Sequence, residues 1–136
     1  MPRKPKALVF DSWAVLAYLG DDTSGQEVAD LIASAHEDRI PMYMTSVNAG
    51  EVWYIIAREA SETEADRAVD DLIRLGIELI DADWPLARIA GSFKARNKMS
   101  YADCFAAALA KVRKSDLVTG DKEFKQIEAE ISIRWL

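Results

Sequence analysis

The sequence predicts an α/β fold in which helices cover both faces of a mainly parallel sheet of four to five strands. Short apolar runs alternate with longer amphipathic stretches along the 136 residues. Successive strands are separated by segments long enough for a helix, and such crossover connections favour parallel pairing. The length and the 50% hydrophobic content predict a single domain over 1–136 with a sizeable core, preceded by a flexible basic tail at 1–6.

Five short apolar runs have the length and composition of buried strands. The first run ends in Leu8-Val9-Phe10, and the others are similarly rich in aliphatic residues. The strands are predicted at 7–10, 40–45, Ile77–Ile80, 117–119 and 131–135.

The stretches between these strands predict helices, because their apolar residues recur at helical spacing. The stretch Gly20-Asp-Asp-Thr-Ser-Gly25 is predicted to be a loop, after which positions 28, 31, 32 and 35 form one apolar face. The helices are predicted at Ser12–Leu19, 26–37, 47–60, 62–75, 83–97, Tyr101–Arg113 and, as a short turn of helix, from about 122.

Capping signals support two of these helices. Ser61-x-x-Glu64 is a capping box, and Gly76 ends the same helix. Ser100 is placed to cap the helix that follows it. The apolar face of the helix after Ser61 is predicted to consist of Ala65, Ala68, Val69, Leu72 and Ile73.

Composition limits the classes of function. There are 17 basic and 23 acidic residues, so the net charge of −6 argues against indiscriminate coating of nucleic acid, although a local basic face remains compatible with it. The one cysteine, Cys104, gives no intramolecular disulfide. No signal-type apolar segment or membrane-length stretch is present, so we expect a soluble, cytoplasmic protein.

The only histidine, His36, is expected to be a solvated residue at the boundary of its helix, beside the apolar Ala35. A zinc site of Cys and His ligands, a Ser-His-Asp triad and a Cys-His pair all need residues that this chain scarcely has. Any chemistry is therefore expected to depend on carboxylates.

Two acids directly follow predicted strands. Asp11 follows the first strand, and Asp121 follows the fourth in Val118-Thr-Gly-Asp121. Ligand sites in parallel sheets form outside the carboxyl ends of the strands. These two carboxylates are therefore expected at the same edge of the sheet.

Two further acids lie in helices that are otherwise poor places for charge. Glu51 shares a helical face with Val47, Asn48 and Ile55, so it is expected to point at least partly inward. Asp103 is the only charge between Ser100 and Ala110, on a face of small alanines that allows close approach of other elements.

Structural roles could also explain each acid separately. Asp11, Asp103 and Asp121 lie near helix starts, where acids cap free N–H groups and oppose the helix dipole. Glu51 could form a buried salt bridge, with Arg58 or with a residue elsewhere. Together, however, four carboxylates in one pocket would repel each other unless a hard cation such as Mg²⁺ or Mn²⁺ were bound. Such a site suits phosphodiester hydrolysis, in which the metal activates water and stabilises charge on phosphorus.

A basic segment surrounds one of these acids. Positions 85–114 contain seven basic residues and a single acid, Asp103. This indicates a polyanionic substrate, with Arg96 and Lys98 as candidate contacts to its backbone. The alternative is a set of solvated helix faces that balance charges elsewhere.

Four short motifs resemble those of the PIN domain, and more closely those of the VapC toxins of toxin–antitoxin pairs. They are Val9-Phe10-Asp11-Ser12, Asn48-x-x-Glu51, Ser100-Tyr-Ala-Asp103 and Thr119-Gly-Asp121. The resemblance implies a three-layer α/β/α sandwich and a ribonuclease dependent on Mg²⁺ or Mn²⁺.

The resemblance also implies a metal-binding and catalytic quartet of Asp11, Glu51, Asp103 and Asp121. It gives Ser12, Asn48 and Thr119 supporting roles. A homodimer and inhibition by a cognate antitoxin are further implications of the family.

We therefore predict a metal-dependent endoribonuclease, the toxin of a toxin–antitoxin pair. One rival is a Mg²⁺-dependent phosphohydrolase with an aspartyl nucleophile, but that chemistry usually needs a second acid where this chain has Trp13. The other rival is a catalytically silent RNA-binding or interaction module, against which the intact acids argue.

Overall fold

The computed structural model describes residues 4–20 and 23–136 and contains an all-parallel sheet of five strands. Its spatial order is β3-β2-β1-β4-β5. The strands are β1 (Leu8–Phe10), β2 (Met42–Thr45), β3 (Ile77–Ile80), β4 (Asp116–Thr119) and β5 (Ser132–Trp135). The predicted strands are confirmed, including the fifth.

Six α-helices and one 3₁₀ helix connect these strands in the described part of the chain. They are α1 (Ser12–Leu19), α2 (Thr23–Asp38), α3 (Ser46–Glu59), α4 (Glu62–Arg74), α5 (Trp84–Arg96), α6 (Tyr101–Arg113) and the 3₁₀ helix (Lys122–Ile127). Ser61 accepts a hydrogen bond from the Glu64 N–H at 3.1 Å, as the capping box predicts. Within 4–20 and 23–136, no helix has the length and apolar character needed to cross a membrane.

The prediction of a loop at 20–25 is wrong for its second half, because α2 already begins at Thr23. Gly25 is buried in this helix, and a Cβ at that position would lie 2.4 Å from the Ala17 carbonyl oxygen. The glycine therefore permits α1 and α2 to pack closely and does not break a helix. Residues 21–22 of the predicted loop and 1–3 of the predicted tail lie outside the described residues. Lys4 of the tail forms an ion pair with Asp38 at 3.2 Å.

The predicted apolar face of α4 is wrong at one position. Ala65 and Leu72, seven residues apart, are fully buried, whereas Ile73 is 48% exposed. A helix that lies on the outside of the fold buries a narrow stripe, and a residue next to Leu72 in sequence is turned 100° away from it.

Two hydrophobic cores lie on opposite faces of the sheet, since side chains alternate along each strand. Leu8 and Phe10 pack with residues of α1, α2 and α3, whereas Val9 and Leu117 pack with residues of α5 and α6. This arrangement confirms the predicted three layers, helices over sheet over helices.

The sheet reverses its strand order between β1 and β4. From β1 the chain builds β2 and β3 on one side, and later β4 and β5 on the other. In parallel sheets, a crevice opens at the carboxyl ends of the strands at such a switch point, and ligands bind there.

Candidate active site

Asp11 lies at the end of β1, at this crevice, and its side chain is fully buried. One carboxylate oxygen accepts a hydrogen bond from the Ala14 N–H at 2.8 Å and so caps α1. The other oxygen accepts a hydrogen bond from the Thr119 hydroxyl at 2.5 Å. The capping role considered from sequence is therefore present, and it coexists with a position at the crevice.

Burial raises the pKa of Asp11 from 3.8 to about 7. The hydrogen bonds from Thr119 and Ala14 act in the opposite direction, because they stabilise the charged form. The negative charges of Asp121 and Glu51 raise this pKa further, so these acids lie near Asp11 as predicted.

Asp103 enters the same crevice from the first turn of α6. The Ser100 hydroxyl accepts a hydrogen bond from the Asp103 N–H at 3.1 Å, so the cap of this helix is Ser100 and not Asp103. Asp103 is buried, with 7% of its surface exposed. Burial raises its pKa to about 7, and a hydrogen bond with the Glu123 side chain and the charge of Asp121 act in the same direction.

Three carboxylates form the tightest group in this crevice. One oxygen each from Asp103, Asp121 and Glu123 lies within 4.8 Å of the others. Asp121 also caps the 3₁₀ helix, since its carboxylate accepts a hydrogen bond from the Glu123 N–H at 2.9 Å.

Glu123 is the residue that sequence reasoning missed. It is exposed and lies in the first turn of the 3₁₀ helix, where an acid looks like an ordinary helix-start charge. The one available signal was the spacing Asp121-x-Glu123 after a strand at the predicted edge.

Glu51 is half-buried on α3 and accepts a hydrogen bond from the Ser12 hydroxyl. The salt bridge considered from sequence is not formed with any basic residue of the described chain. The Arg58 guanidinium instead lies over the Tyr54 ring, 4.9 Å from its centroid. Ser12 thus links the start of α1 to the second turn of α3 beside Asp11.

Two buried polar residues connect the elements that present the acids. The Asn48 amide accepts a hydrogen bond from the Thr45 hydroxyl at 2.5 Å and donates one to the Ala102 carbonyl at 3.1 Å, so it joins α3 to the start of α6. The Thr119 hydroxyl, which donates to Asp11, also accepts a hydrogen bond from the Asp121 N–H at 3.0 Å. These contacts hold the acids of four elements in a fixed relation.

The two candidate phosphate contacts are not grouped with the acids. The Arg96 guanidinium pairs with Glu130 at 3.2 Å and lies 5.5 Å from the Phe93 ring centroid. Lys98 is exposed, and its backbone N–H donates to the Gln126 side chain at 3.0 Å. Their contact with a substrate stays a prediction. His36 is exposed, as expected, and its ring lies 2.5 Å from the Leu75 carbonyl, away from the crevice.

The donor set of the crevice consists of carboxylate oxygens, which fits a hard divalent cation such as Mg²⁺ or Mn²⁺. Burial raises the pKa of Asp11 and of Asp103 to about 7, and the charges of neighbouring acids act in the same direction, so a bound cation would favour the charged form of both. The four acids predicted from the sequence, Asp11, Glu51, Asp103 and Asp121, all lie at this crevice.

Solved structures with the same fold come from bacterial toxin–antitoxin systems. VapBC2 of Rickettsia felis bound to a promoter DNA fragment is 18% identical, with a TM-score of 0.74 over 96% of this chain and 98% of that chain. DNA-bound VapBC of Salmonella typhimurium is 20% identical, with a TM-score of 0.73 over 94% and 96%. VapC20 of Mycobacterium tuberculosis, a Sarcin-Ricin loop cleaving toxin, is 20% identical, with a TM-score of 0.69 over 92% and 96%.

A sequence comparison with curated proteins found no significant match. The sequence profile of the PIN domain, however, matches residues 8–130, which include β1, the 3₁₀ helix and every acid of the crevice. With this match over most of its length, the chain belongs to the PIN domain family.

Proposed function

We propose that this protein is a ribonuclease that depends on Mg²⁺ or Mn²⁺ and acts as the toxin of a toxin–antitoxin pair. The observation that supports this most strongly is the convergence of carboxylates from separate elements at the switch point of the sheet. Asp103, Asp121 and Glu123 approach within 4.8 Å of each other, and buried Asp11 lies beside them.

In this proposal, Asp11, Glu51, Asp103 and Asp121 hold the cation, and Glu123 completes the group. A bound Mg²⁺ or Mn²⁺ supplies activation of water and stabilisation of the negative charge that develops on phosphorus. Ser12 orients Glu51, and Thr119 orients Asp11 and the backbone of Asp121. No side-chain nucleophile is needed.

Protonation of the site is linked to cation binding. Burial keeps Asp11 and Asp103 partly protonated near neutral pH, with pKa values of about 7. A cation must displace these protons, so its affinity is expected to fall as the pH drops below 7.

The structural relatives support one of the partners of the proposed toxin. One similar fold was solved as a toxin–antitoxin complex, and another belongs to the VapBC family of toxin–antitoxin systems, which supports a cognate antitoxin as partner. We propose RNA as the substrate, a homodimer as the assembly and the cytoplasm, where RNA substrates are found, as the site of action.

The test is cleavage of a labelled RNA by the purified chain. We expect cleavage with Mg²⁺ or Mn²⁺, none with EDTA, and none by the Asp103→Asn variant with metal. A folded wild-type protein that binds RNA but does not cut it with either metal would instead favour a silent RNA-binding module. Growth arrest on expression, relieved by the neighbouring small reading frame, would test the toxin role separately.

A further inference from the structure

Trp13 is a large aromatic residue at the rim of the acidic crevice. It lies in the first turn of α1, two residues after Asp11, and is 37% exposed. Its neighbour Ser12 points to Glu51 on one side of the helix start. Trp13 extends towards the end of β4 on the other side, as its contact with Gly120 shows.

The position of the indole ring is fixed by Gly120. A Cβ built on Gly120 would lie 2.3 Å from Cη2 of the Trp13 ring and 2.4 Å from Cζ3. The ring therefore occupies the space that any side chain at position 120 would need. Gly120 directly precedes Asp121, so the ring covers the backbone next to one proposed metal ligand.

The exposed part of the Trp13 indole is available to another molecule. The Trp53 indole N–H donates to Asp66 at 2.9 Å, whereas that of Trp13 has no acceptor in residues 4–20 and 23–136. Because the ring is already held against the backbone, little conformational entropy is lost when another molecule binds to its exposed face.

The electrostatics of the crevice make such a surface useful. The carboxylates that surround Asp11 repel the phosphates of a nucleic acid. The two cations predicted to contact substrate, Arg96 and Lys98, contact Glu130 and Gln126 and not these acids. Stacking of a base on an aromatic ring adds affinity without depending on the charge of the site. Only an unpaired base presents its face to such a ring.

We propose that Trp13 stacks on an unpaired base next to the cleaved phosphate. This inference rests on the proposed ribonuclease function. It assigns to Trp13 a contact with substrate in addition to its packing on Gly120.

The test measures binding of a labelled single-stranded RNA, and of an abasic strand of equal length, to full-length protein with Asp103→Asn to prevent cleavage. Adding Trp13→Ala should weaken binding of the RNA by about 5- to 150-fold, the range found when stacking rings are removed, and leave the abasic strand unaffected. Trp13→Phe should retain most of the affinity. Equal binding by a folded Trp13→Ala variant would overturn the inference and leave Trp13 as a packing residue.

Trp84→Ala is the matched control. Trp84 is 73% exposed at the start of α5. Its neighbour Pro85 lies near Leu109 and Val112, at the end of α6 opposite to Asp103. Loss of Trp84 should not change RNA binding, and an effect equal to that of Trp13→Ala would also contradict the inference.

A second measurement covers the case in which Trp13→Ala does not fold. Single-stranded RNA should quench tryptophan fluorescence in the parent protein, and Trp13→Phe should remove the saturable part of this quenching. Quenching that is unchanged by Trp13→Phe would overturn the stacking contact. If the wild type cleaves RNA with Mn²⁺ and only the Trp13 results fail, the ribonuclease function stands. If the wild type neither binds nor cleaves RNA, both proposals fail.

Discussion

Replacing Asp11 by asparagine should stabilise the metal-free protein at alkaline pH. Asp11 is fully buried, and burial raises its pKa from 3.8 to about 7. Between these two values the folded state holds a proton that the unfolded state has lost. The free energy of unfolding of the wild type should therefore fall as the pH rises from about 4 to 7, and level off above.

The magnitude follows from the size of the shift. A difference of about 3 pKa units at 1.36 kcal/mol each corresponds to roughly 4 kcal/mol of destabilisation above pH 7. Asparagine removes the charge and retains an oxygen for the Ala14 N–H, but it alters the hydrogen bond with Thr119, at a cost of about 1–2 kcal/mol. Relative to the wild type, the free energy of unfolding of Asp11→Asn should be higher by about 2–3 kcal/mol at pH 8 and equal at pH 5.

The assay is urea unfolding with EDTA at pH values from 5 to 8, with Asp70→Asn on the exposed side of α4 as the control. The difference between Asp11→Asn and the wild type should grow with pH, and the control should show no such trend. If Asp11 acted only as a helix cap, the variant would be less stable by up to about 1 kcal/mol at every pH. That result would refute the reasoning.

Four further predictions address the site. Asp103→Asn should abolish cleavage without lowering the melting temperature of the metal-free protein, because it keeps the shape of the side chain and removes a buried charge; full cleavage by a folded variant would remove Asp103 from the site. Glu123→Gln should weaken Mn²⁺ binding at least several-fold without unfolding the 3₁₀ helix, because the Glu123 side chain is exposed, and unchanged affinity in a titration would show that Glu123 is only a neighbour. Lys98→Glu should weaken RNA binding and reduce the magnitude of the slope of log K against log salt by about 0.7, as expected for the loss of one phosphate contact. Arg96→Glu should have the same effect only if Arg96 leaves Glu130 to contact the RNA. Unchanged slopes for both variants would place these residues away from the substrate. Mn²⁺ should raise the melting temperature of the wild type much more than that of Asp11→Asn, and equal shifts would mean that the ion binds elsewhere.

The sequence was sufficient for the order of the elements because each one has a strong local signal. The strands are short apolar runs, and the starts of α4 and α6 are fixed by Ser61 and Ser100, which accept hydrogen bonds from backbone N–H groups in the structure. Asp11 and Asp121 could be placed at one edge because parallel strands share their carboxyl ends.

The remaining features depend on contacts between distant segments. Gly25 resembles a loop residue in sequence, but it is a close-packing residue because Ala17 of α1 lies against it. Ile73 resembles a core residue, but the stripe that α4 buries is too narrow to include it. Glu123 resembles a solvated acid, and only the approach of Asp103 on α6 brings it into the crevice.

The most direct test of the proposed active site measures Mn²⁺ binding and RNA cleavage on the same metal-stripped preparation. Bound Mn²⁺ can be counted by electron paramagnetic resonance while cleavage of single-stranded RNA is followed on a gel. We expect cleavage to rise in proportion to bound Mn²⁺ in the wild type, and both to be lost in folded Asp103→Asn. Cleavage that persists in EDTA, or Mn²⁺ binding that is the same in both proteins, would contradict a metal-dependent site built from these carboxylates.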